Sequence, residues 1–405
     1  MPARGSPPVA LFALLLPLLL AAQPVATDSY LPALPAIARD LGSASASLTA
    51  FVLAFGAAQL GFGPLADRLG RRPVLLLGLA IYTVAGFACA WAPGLIALTA
   101  ARAAQGVAMA AILVCARAAV RDLFSAHEGV QMMARGLSGL GVVALIAPIA
   151  GAWLVQAFGW RAVMAAMGVY GALLGWACWR WFSETLAVRP KGDADASTAP
   201  SLTAQTGAVL ANGTFRLWTA ISSVSYAGVF CFLLLSPMVY ITLLGLSPAV
   251  YGWIPAGGSL VYITSTQLCR RLLRRLGVVR TVQLAAVCSL CGGLVQAGGW
   301  LLWPGQPWPL LAGHAIYMLG HGVHQPCGQA GAVQDLPQLA GRAVSWSGFL
   351  MMLSAFCLGQ TAALFAGPQM PHGPWPMVLP LLLAGATLAV MAFTALPRHA
   401  RPTGA

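Results

Sequence analysis

The chain has 405 residues, of which 59% are hydrophobic and 8% are charged, and its formal net charge is +13. Soluble globular proteins average about 25% charged residues, so this composition excludes an ordinary soluble domain. A basic excess of this size also occurs in nucleic-acid-binding proteins. The positions of the basic residues along the chain decide whether it indicates nucleic-acid binding or a membrane protein.

Twelve apolar segments are long enough to cross a membrane. A helical span needs about 20 residues, and a helix satisfies its own backbone hydrogen bonds inside the hydrocarbon. We therefore expect an all-α integral membrane protein with twelve transmembrane helices. The predicted spans lie at residues 9–28, 47–65, 73–92, 95–115, 136–158, 162–182, 217–240, 248–269, 281–303, 308–327, 343–366 and 375–396.

The basic residues follow a membrane topology pattern. The termini and the even-numbered connections hold 19 of the 22 Lys and Arg residues, and the others are Arg39, Arg161 and Arg102. The positive-inside rule then places both termini in the cytoplasm, so the net charge does not indicate nucleic-acid binding. Residues 1–28 also have the composition of a secretory signal peptide, but cleavage would leave eleven spans and break the alternation.

The spans fall into two sets of six. Residues 183–216 form the longest polar stretch and have the composition of a flexible cytoplasmic linker. The predicted domains are therefore an N-terminal bundle at 1–182 and a C-terminal bundle at 217–405. An internal repeat supports the division, because "DRLGRR" at 67–72 and "RRLGVV" at 274–279 follow the second span of each set.

The connection after the second span carries the strongest motif, "GFGPLADRLGRRPVLLLG" at residues 61–78. Its glycines allow close helix approach, and its carboxylate can face the positive N-terminus of a neighbouring helix. The alternative is a plain basic loop on the cytoplasmic side. The candidate gate residues are Gly61, Gly63, Asp67, Arg68, Gly70, Arg71 and Arg72; Asp67 aligns with Arg274 in the second set, so any matching gate there is degenerate.

Two ionisable residues stand inside apolar segments. Asp28 is the one charged residue between Arg4 and Arg39, and the apolar run continues past it to Ile37. An ionised Asp at the bilayer centre costs about 2.5–3.5 kcal/mol, a cost that a cavity, a cation or a bound proton relieves. We expect Asp28 to carry a proton, with Arg102 of the fourth span as a candidate partner. The alternatives are an Asp outside the membrane and an Arg that snorkels to the interface.

Several segments together resemble one transporter family. They are "TDSYLPALPAIARDLG" at 27–42, the 61–78 loop, "RAAQG" at 102–106, residues 117–124, "GLGVVALIAPIAGAW" at 139–153 and "FSETL" at 182–186. They look like the bicyclomycin/chloramphenicol-resistance family of drug:proton antiporters within the major facilitator superfamily.

The resemblance implies a substrate cavity between two six-helix halves and alternating access by rocking of the halves. It implies that the gate residues hold the cytoplasmic side shut, and that Arg102, which begins a fourth-span motif with Gln105 and Gly106, is linked to proton transfer. Pro148 and Gly151 match a partial antiporter motif that seals the cavity against proton leak, with ordinary small-residue packing as the alternative. The implied location is a bacterial inner membrane, and the implied energy source is the proton gradient without a cofactor.

Candidate cavity residues follow from side-chain type and helical spacing. Each is open to the alternative of plain helix packing. They are Tyr30, Met109, Leu113, Tyr226, Phe232 and Tyr240.

The tenth span departs from the family by carrying His314, His321 and His324 beside Cys327. Histidines can relay protons or bind a metal, but three ligands on one helix do not readily close a tetrahedral site. No metal site is predicted, and histidines at the membrane interface are the alternative. The nine cysteines indicate no disulfide framework, and the mid-span pair Cys288 and Cys291 lacks a partner motif.

These features predict proton-coupled efflux of small amphipathic compounds, with substrate, protons and the bilayer as partners and no obligatory protein partner. A metabolite exporter for an amino acid fits the same fold and stays open. A membrane sensor is less favoured because no signalling domain accompanies the spans. An enzyme is not expected, since the sequence has neither a nucleophile–base arrangement nor a nucleotide-binding P-loop.

Overall fold

A computed structural model describes residues 9–42, 44–186, 201–367 and 370–399. The N-terminal half is formed by α1 (Val9–Thr27), α2 (Leu34–Leu41), α3 (Ser45–Leu69), α4 (Arg71–Ala90), α5 (Leu95–Leu123), α6 (Ala126–Phe158) and α7 (Trp160–Trp181). The helix α8 (Leu202–Ala211) precedes the C-terminal half, formed by α9 (Gly213–Pro237), α10 (Pro248–Leu302), α11 (Trp308–Gly331), α12 (Ala340–Ala366) and α13 (Trp375–Val390).

Twelve membrane-spanning segments are present among the described residues. Ten helical segments are long and apolar enough to cross a membrane. One of them, α10, contains two spans, because its backbone leaves the helical conformation at Gly277 (φ +73°), and α11 adds a further helix of 24 residues. The predicted all-α, twelve-helix fold class is confirmed.

The first span differs from its predicted range of 9–28. The helix α1 ends at Thr27, and the chain continues through a turn at 28–30, a 3₁₀ turn at Leu31–Ala33 and α2. Pro32 and Pro35 have no backbone N–H to donate, so a regular helix does not continue through this stretch. The apolar segment therefore runs from Leu11 to Leu41, and Asp28 stands at a break inside it.

The fifth span is longer than predicted, and the connector is partly helical. The helix α6 begins ten residues before the predicted start at 136, because Ser125 and Glu128 form a capping box at its N-terminus. Within the predicted linker at 183–216, Ser201 caps α8. Arg342 at the start of α12 donates to Gln205 of α8 at 2.7 Å.

The two halves meet near one end of the molecule. We call the end with the connections around Gly70 and Gly277 the basic end and the other the opposite end. Towards the opposite end, Thr49 of α3 donates to Gln360 of α12 at 3.0 Å, and Gly252 of α10 packs against Pro148 of α6.

Contacts between the halves continue as far as the middle of the helices, where Gln59 lies against Gly348. Further towards the basic end, Gly61 and Gly63 of α3 have open space where a side chain would begin. The close helix approach predicted at these glycines is absent in this conformation. The halves are joined at the opposite end and parted at the basic end.

Candidate translocation site

Asp28 lies at the break in the first span and faces the C-terminal half. Its backbone N–H donates to the Pro24 carbonyl at 2.8 Å, and its carboxylate accepts from the Thr27 hydroxyl at 2.8 Å. The 3₁₀ turn that follows it, Leu31–Ala33, packs against α9 and α10. A half-buried carboxylate at the interface between the halves is placed where it can exchange a proton or contact a polar substrate.

Arg102 is fully buried inside the N-terminal half. Its guanidinium donates to the Ala26 carbonyl at 2.9 Å and to the Gln105 side chain. It also lies 4.4 Å from the centre of the Tyr30 ring and 4.5 Å from that of Phe51. These π faces and carbonyl groups stabilise the charge. Arg102 forms no ion pair with Asp28 here; it contacts the backbone two residues before it.

The fourth-span motif holds this cluster together. Gln105 is the hydrogen-bond partner of Arg102. Gly106 lets α5 approach α3 so closely that a side chain there would collide with the Phe51 backbone. Snorkelling of Arg102 to the surface does not occur, because the motif fixes it in the interior.

Of the predicted cavity residues on this half, Tyr30 is buried under Arg102, and its hydroxyl pairs with that of Ser47 at 2.6 Å. Met109 and Leu113 are buried along the same helix as Arg102. All three are packed within the N-terminal half in this conformation, and their role in substrate binding stays a prediction.

Gly151 of the partial antiporter motif packs directly against the turn that bears Asp28. Any side chain at this position would collide with the Ser29 backbone. Pro148, one turn earlier, presents its carbonyl to Gly252 of the C-terminal half. The motif therefore joins three elements: α6, the Asp28 turn and α10.

The C-terminal half contributes aromatic side chains rather than a charge, and two of the predicted cavity residues, Phe232 and Tyr240, are fully buried in this conformation. Phe232 and Tyr240 contact each other edge to face at 6.2 Å, and Tyr240 lies 6.4 Å from Tyr251. The Tyr251 hydroxyl pairs with Ser236 at 2.8 Å. Tyr226 is half-buried, and its ring centre lies 6.4 Å from that of His321.

The histidines of α11 lie inside this half and not at its surface. His314 stacks on Phe232 with ring centres 3.5 Å apart. His321 pairs with the Ser225 hydroxyl at 2.9 Å and lies 5.5 Å from the Tyr262 ring. Across the described part of the chain, no group of three or more His, Cys, Asp or Glu residues is arranged to hold a metal.

At the basic end, the gate residues form a network within the N-terminal half. Arg71 pairs with Asp67 at 2.6 Å and with Asp122 of α5 at 2.9 Å. Asp67 is 59% exposed, and it does not touch the C-terminal half in this conformation. Gly70 has a φ of +99°, a conformation that favours glycine, and this allows the chain to turn from α3 into α4.

Glu184 completes this network, and its role was not assigned from the sequence. Its carboxylate accepts from the backbone N–H groups of Arg71 at 2.9 Å and of Arg72 at 3.1 Å, which lie at the N-terminus of α4. Partial burial pushes its pKa upward, but the backbone hydrogen bonds outweigh this effect and hold the pKa below its usual value. Its segment "FSETL" and the segment 117–124, which contains Asp122, resemble the transporter family, but neither pattern predicts this contact.

The comparisons with known proteins agree with this architecture. Residues 18–360 match the Major Facilitator Superfamily. The chain is 29% identical over 384 residues to "Multidrug resistance protein D" of Escherichia coli (strain K12), covering 91% of this chain and 92% of that protein. It is 28% identical over 276 residues to "Chloramphenicol resistance protein" of Pseudomonas aeruginosa, covering 67% of this chain and 64% of that one.

Solved structures share the fold at low sequence identity. A bacterial homologue of the human lysosomal transporter Spinster, inward-facing and unoccupied, matches with a TM-score of 0.73 at 15% identity, covering 97% of this chain and 98% of that one. A D-xylose-proton symporter matches with a TM-score of 0.67 at 13% identity, covering 94% and 96%. The twelve-helix fold and the sequence match together show that the chain belongs to the major facilitator superfamily.

Proposed function

We propose that this protein exports small amphipathic compounds, including antibiotics, from a bacterial cytoplasm in exchange for protons. The observation that carries the proposal is the position of Asp28. It is a carboxylate at a break in the first apolar segment, beside the interface between the halves, and it forms no ion pair with any residue that the structure describes. The printed names of the relatives, which include multidrug and chloramphenicol resistance proteins, support the substrate class.

In the proposed cycle, proton and drug compete for one region. A drug that enters from the basic end reaches the half-buried ring of Tyr226 and displaces the proton from Asp28. Contact with Phe232 and Tyr240, which are buried in this conformation, requires the helices to move. The halves then rock, the drug leaves, and Asp28 takes a proton from the other side. Each proton that moves inward contributes about 2.3 kcal/mol per 100 mV of membrane potential.

Arg102 affects this exchange because it is hydrogen-bonded to the backbone next to the Asp28 turn. It holds the Ala26 carbonyl at 2.9 Å, so a shift of the Asp28 turn changes the hydrogen bonds of Arg102. A movement of the turn that brings the Asp28 carboxylate towards the guanidinium would favour its ionised form. We assign Arg102 as the group that tunes proton release from Asp28.

The basic end is assigned to the cytoplasm, with both termini there and the protein in the inner membrane. The conformation described here is then open to the cytoplasm. Asp67, which is exposed in this state, would meet the N-terminus of α12 when the basic end closes, and the gate residues would hold the outward-facing state.

The test is substrate-driven proton release from purified full-length protein, with chloramphenicol and related compounds as probes. The wild type should release protons when a compound binds, and a folded Asp28→Asn variant should not. Equal release from both would move the proton site away from Asp28. No release with any compound, but release with amino acids, would replace the drug by a metabolite.

A further inference from the structure

Five arginines surround the turn between the two limbs of α10. Four lie in the last two turns of the first limb, one lies at the start of the second limb, and all are exposed. A cleft of about 520 Å³ opens beside them, lined by Gln267, Arg270, Arg271, Leu273 and Arg274. We call this site the arginine cleft; the remaining two arginines at its edge are Arg275 and Arg280.

The arginine cleft has almost no counter-charge in its own half. Between residues 217 and 405 the sequence contains one acidic residue, Asp335. None of the five arginines forms an ion pair within the described residues, and Arg270 is held by the neutral side chain of Gln267. Clustered like charges create a strong local potential that attracts anions, so the cleft favours an anionic ligand.

Apolar side chains lie next to the arginines. Leu268 is 45% exposed, Leu276 is 40% exposed and Val278 is 47% exposed. Leu268 and Arg271 are three residues apart on one helix, so they lie on the same face. A ligand that matches this surface combines a phosphate with an adjoining hydrocarbon chain, and free phosphate would leave the apolar part unused.

We propose that the arginine cleft binds the phosphate of an anionic phospholipid, with an acyl chain along Leu268. Guanidinium groups bind phosphate oxygens in a bidentate manner, and clusters of basic residues at the end of a membrane helix attract anionic headgroups. The lipid supplies to the C-terminal half the negative charge that Asp67, Asp122 and Glu184 supply to the N-terminal half.

The experiment titrates detergent-purified full-length protein with phosphatidylglycerol, and it measures bound lipid by native mass spectrometry and the midpoint of thermal unfolding. The variant R270Q/R271Q/R274Q should bind this lipid about a hundredfold more weakly, since each arginine near an anionic surface contributes about 1 kcal/mol. The variant R270K/R271K/R274K keeps the charge and should recover most of the affinity. An unfolding midpoint without lipid close to that of the wild type shows that each variant is folded.

The matched control R121Q/R135Q/R180Q removes three exposed arginines from the N-terminal half and should bind the lipid as the wild type does. An equal loss of lipid affinity in this control would overturn the site, because it would show that lipid binding depends only on the net charge of the protein. Equal binding of phosphatidylcholine, or equal stabilisation by inorganic phosphate, would overturn the assignment to an anionic phospholipid. Transport is not measured, so the result does not depend on the proposed function.

Discussion

The two halves make the same turn at the basic end with different chemistry. Gly70 and Gly277 are equivalent in the internal repeat and both adopt positive φ, +99° and +73°. Around Gly70, Arg71 pairs with two carboxylates, whereas Arg274 replaces the equivalent of Asp67 beside Gly277. The repeat has kept the backbone geometry that glycine permits and has lost the charge pairing on one side.

The interior is divided in the same way. The N-terminal half holds Asp28 and Arg102, and the C-terminal half presents histidine and aromatic rings around Phe232 and His321. We propose from this comparison that proton chemistry belongs to the first half and substrate contact to the second. If so, substitutions in the two halves should change different measured quantities.

The largest expected effect comes from Arg102→Ala. It removes the buried cation and leaves the Ala26 carbonyl and Gln105 without their partner, so we expect proton-driven chloramphenicol transport in liposomes to fall about a hundredfold or more. Arg102→Lys should retain part of the activity. Arg121→Ala, on the exposed end of the same helix, is the control and should transport as the wild type does. Normal transport by Arg102→Ala would contradict the assignment of proton chemistry to the N-terminal half.

Gly151→Ala should have the second-largest effect. The added methyl group collides with the Ser29 backbone and displaces the Asp28 turn, and overpacking of this kind costs about 1–3 kcal/mol. We expect transport to fall about tenfold in the same assay, with a lower unfolding midpoint. Gly129→Ala on the same helix meets its nearest neighbour at an ordinary 3.6 Å, and it should behave as the wild type.

The sequence predicts features that depend on neighbouring residues better than contacts between residues far apart along the chain. The twelve spans and the apolar run around Asp28 follow from local composition. The partners of Glu184 do not, because Arg71 and Arg72 lie more than 100 residues away and only the packing of α4 against α7 brings them together. The first predicted span ends at residue 28, one residue beyond α1, but the turn and short helix that continue the apolar segment to Leu41 were not predicted, because hydropathy does not register the two prolines there.

The gate glycines show a second limit. Gly61 and Gly63 were expected to permit close approach, but they face open space because the halves are parted at this end. The sequence must allow the helix contacts of every state in the transport cycle, and a single conformation contains only some of those contacts. Gly106 and Gly151 make close contacts in this conformation, and only the structure could show that Phe51 and Ser29 are their neighbours.

His321→Gln should have a smaller effect and of a different kind. It replaces the ring that pairs with Ser225 at 2.9 Å, a loss of about 1 kcal/mol, so drug affinity should fall about fivefold. The number of protons released per bound drug should stay unchanged, because Asp28 remains. Substrate titrations with a pH indicator measure both quantities, and a loss of proton release would place proton chemistry in the C-terminal half as well.

The smallest effect is expected from Glu184→Ala, which removes the acceptor for the backbone N–H groups of Arg71 and Arg72. The carboxylate is largely exposed, so solvent screening limits the loss in free energy of unfolding to about 1 kcal/mol. Because its pKa is held below the usual value, its contribution is complete above the unfolded-state pKa of about 4.3 and is lost as the pH falls through the folded-state pKa.

Thermal unfolding of wild type and Glu184→Ala should therefore differ at pH 7 and converge as the pH is lowered below about 4. Asp335→Ala is the matched control, because it removes the one acidic residue of the C-terminal half, which is exposed. It should leave the unfolding midpoint unchanged at both pH values. A shift as large as that of Glu184→Ala would mean that the C-terminal half also depends on a carboxylate, and the two turns would no longer differ in how their charge is balanced.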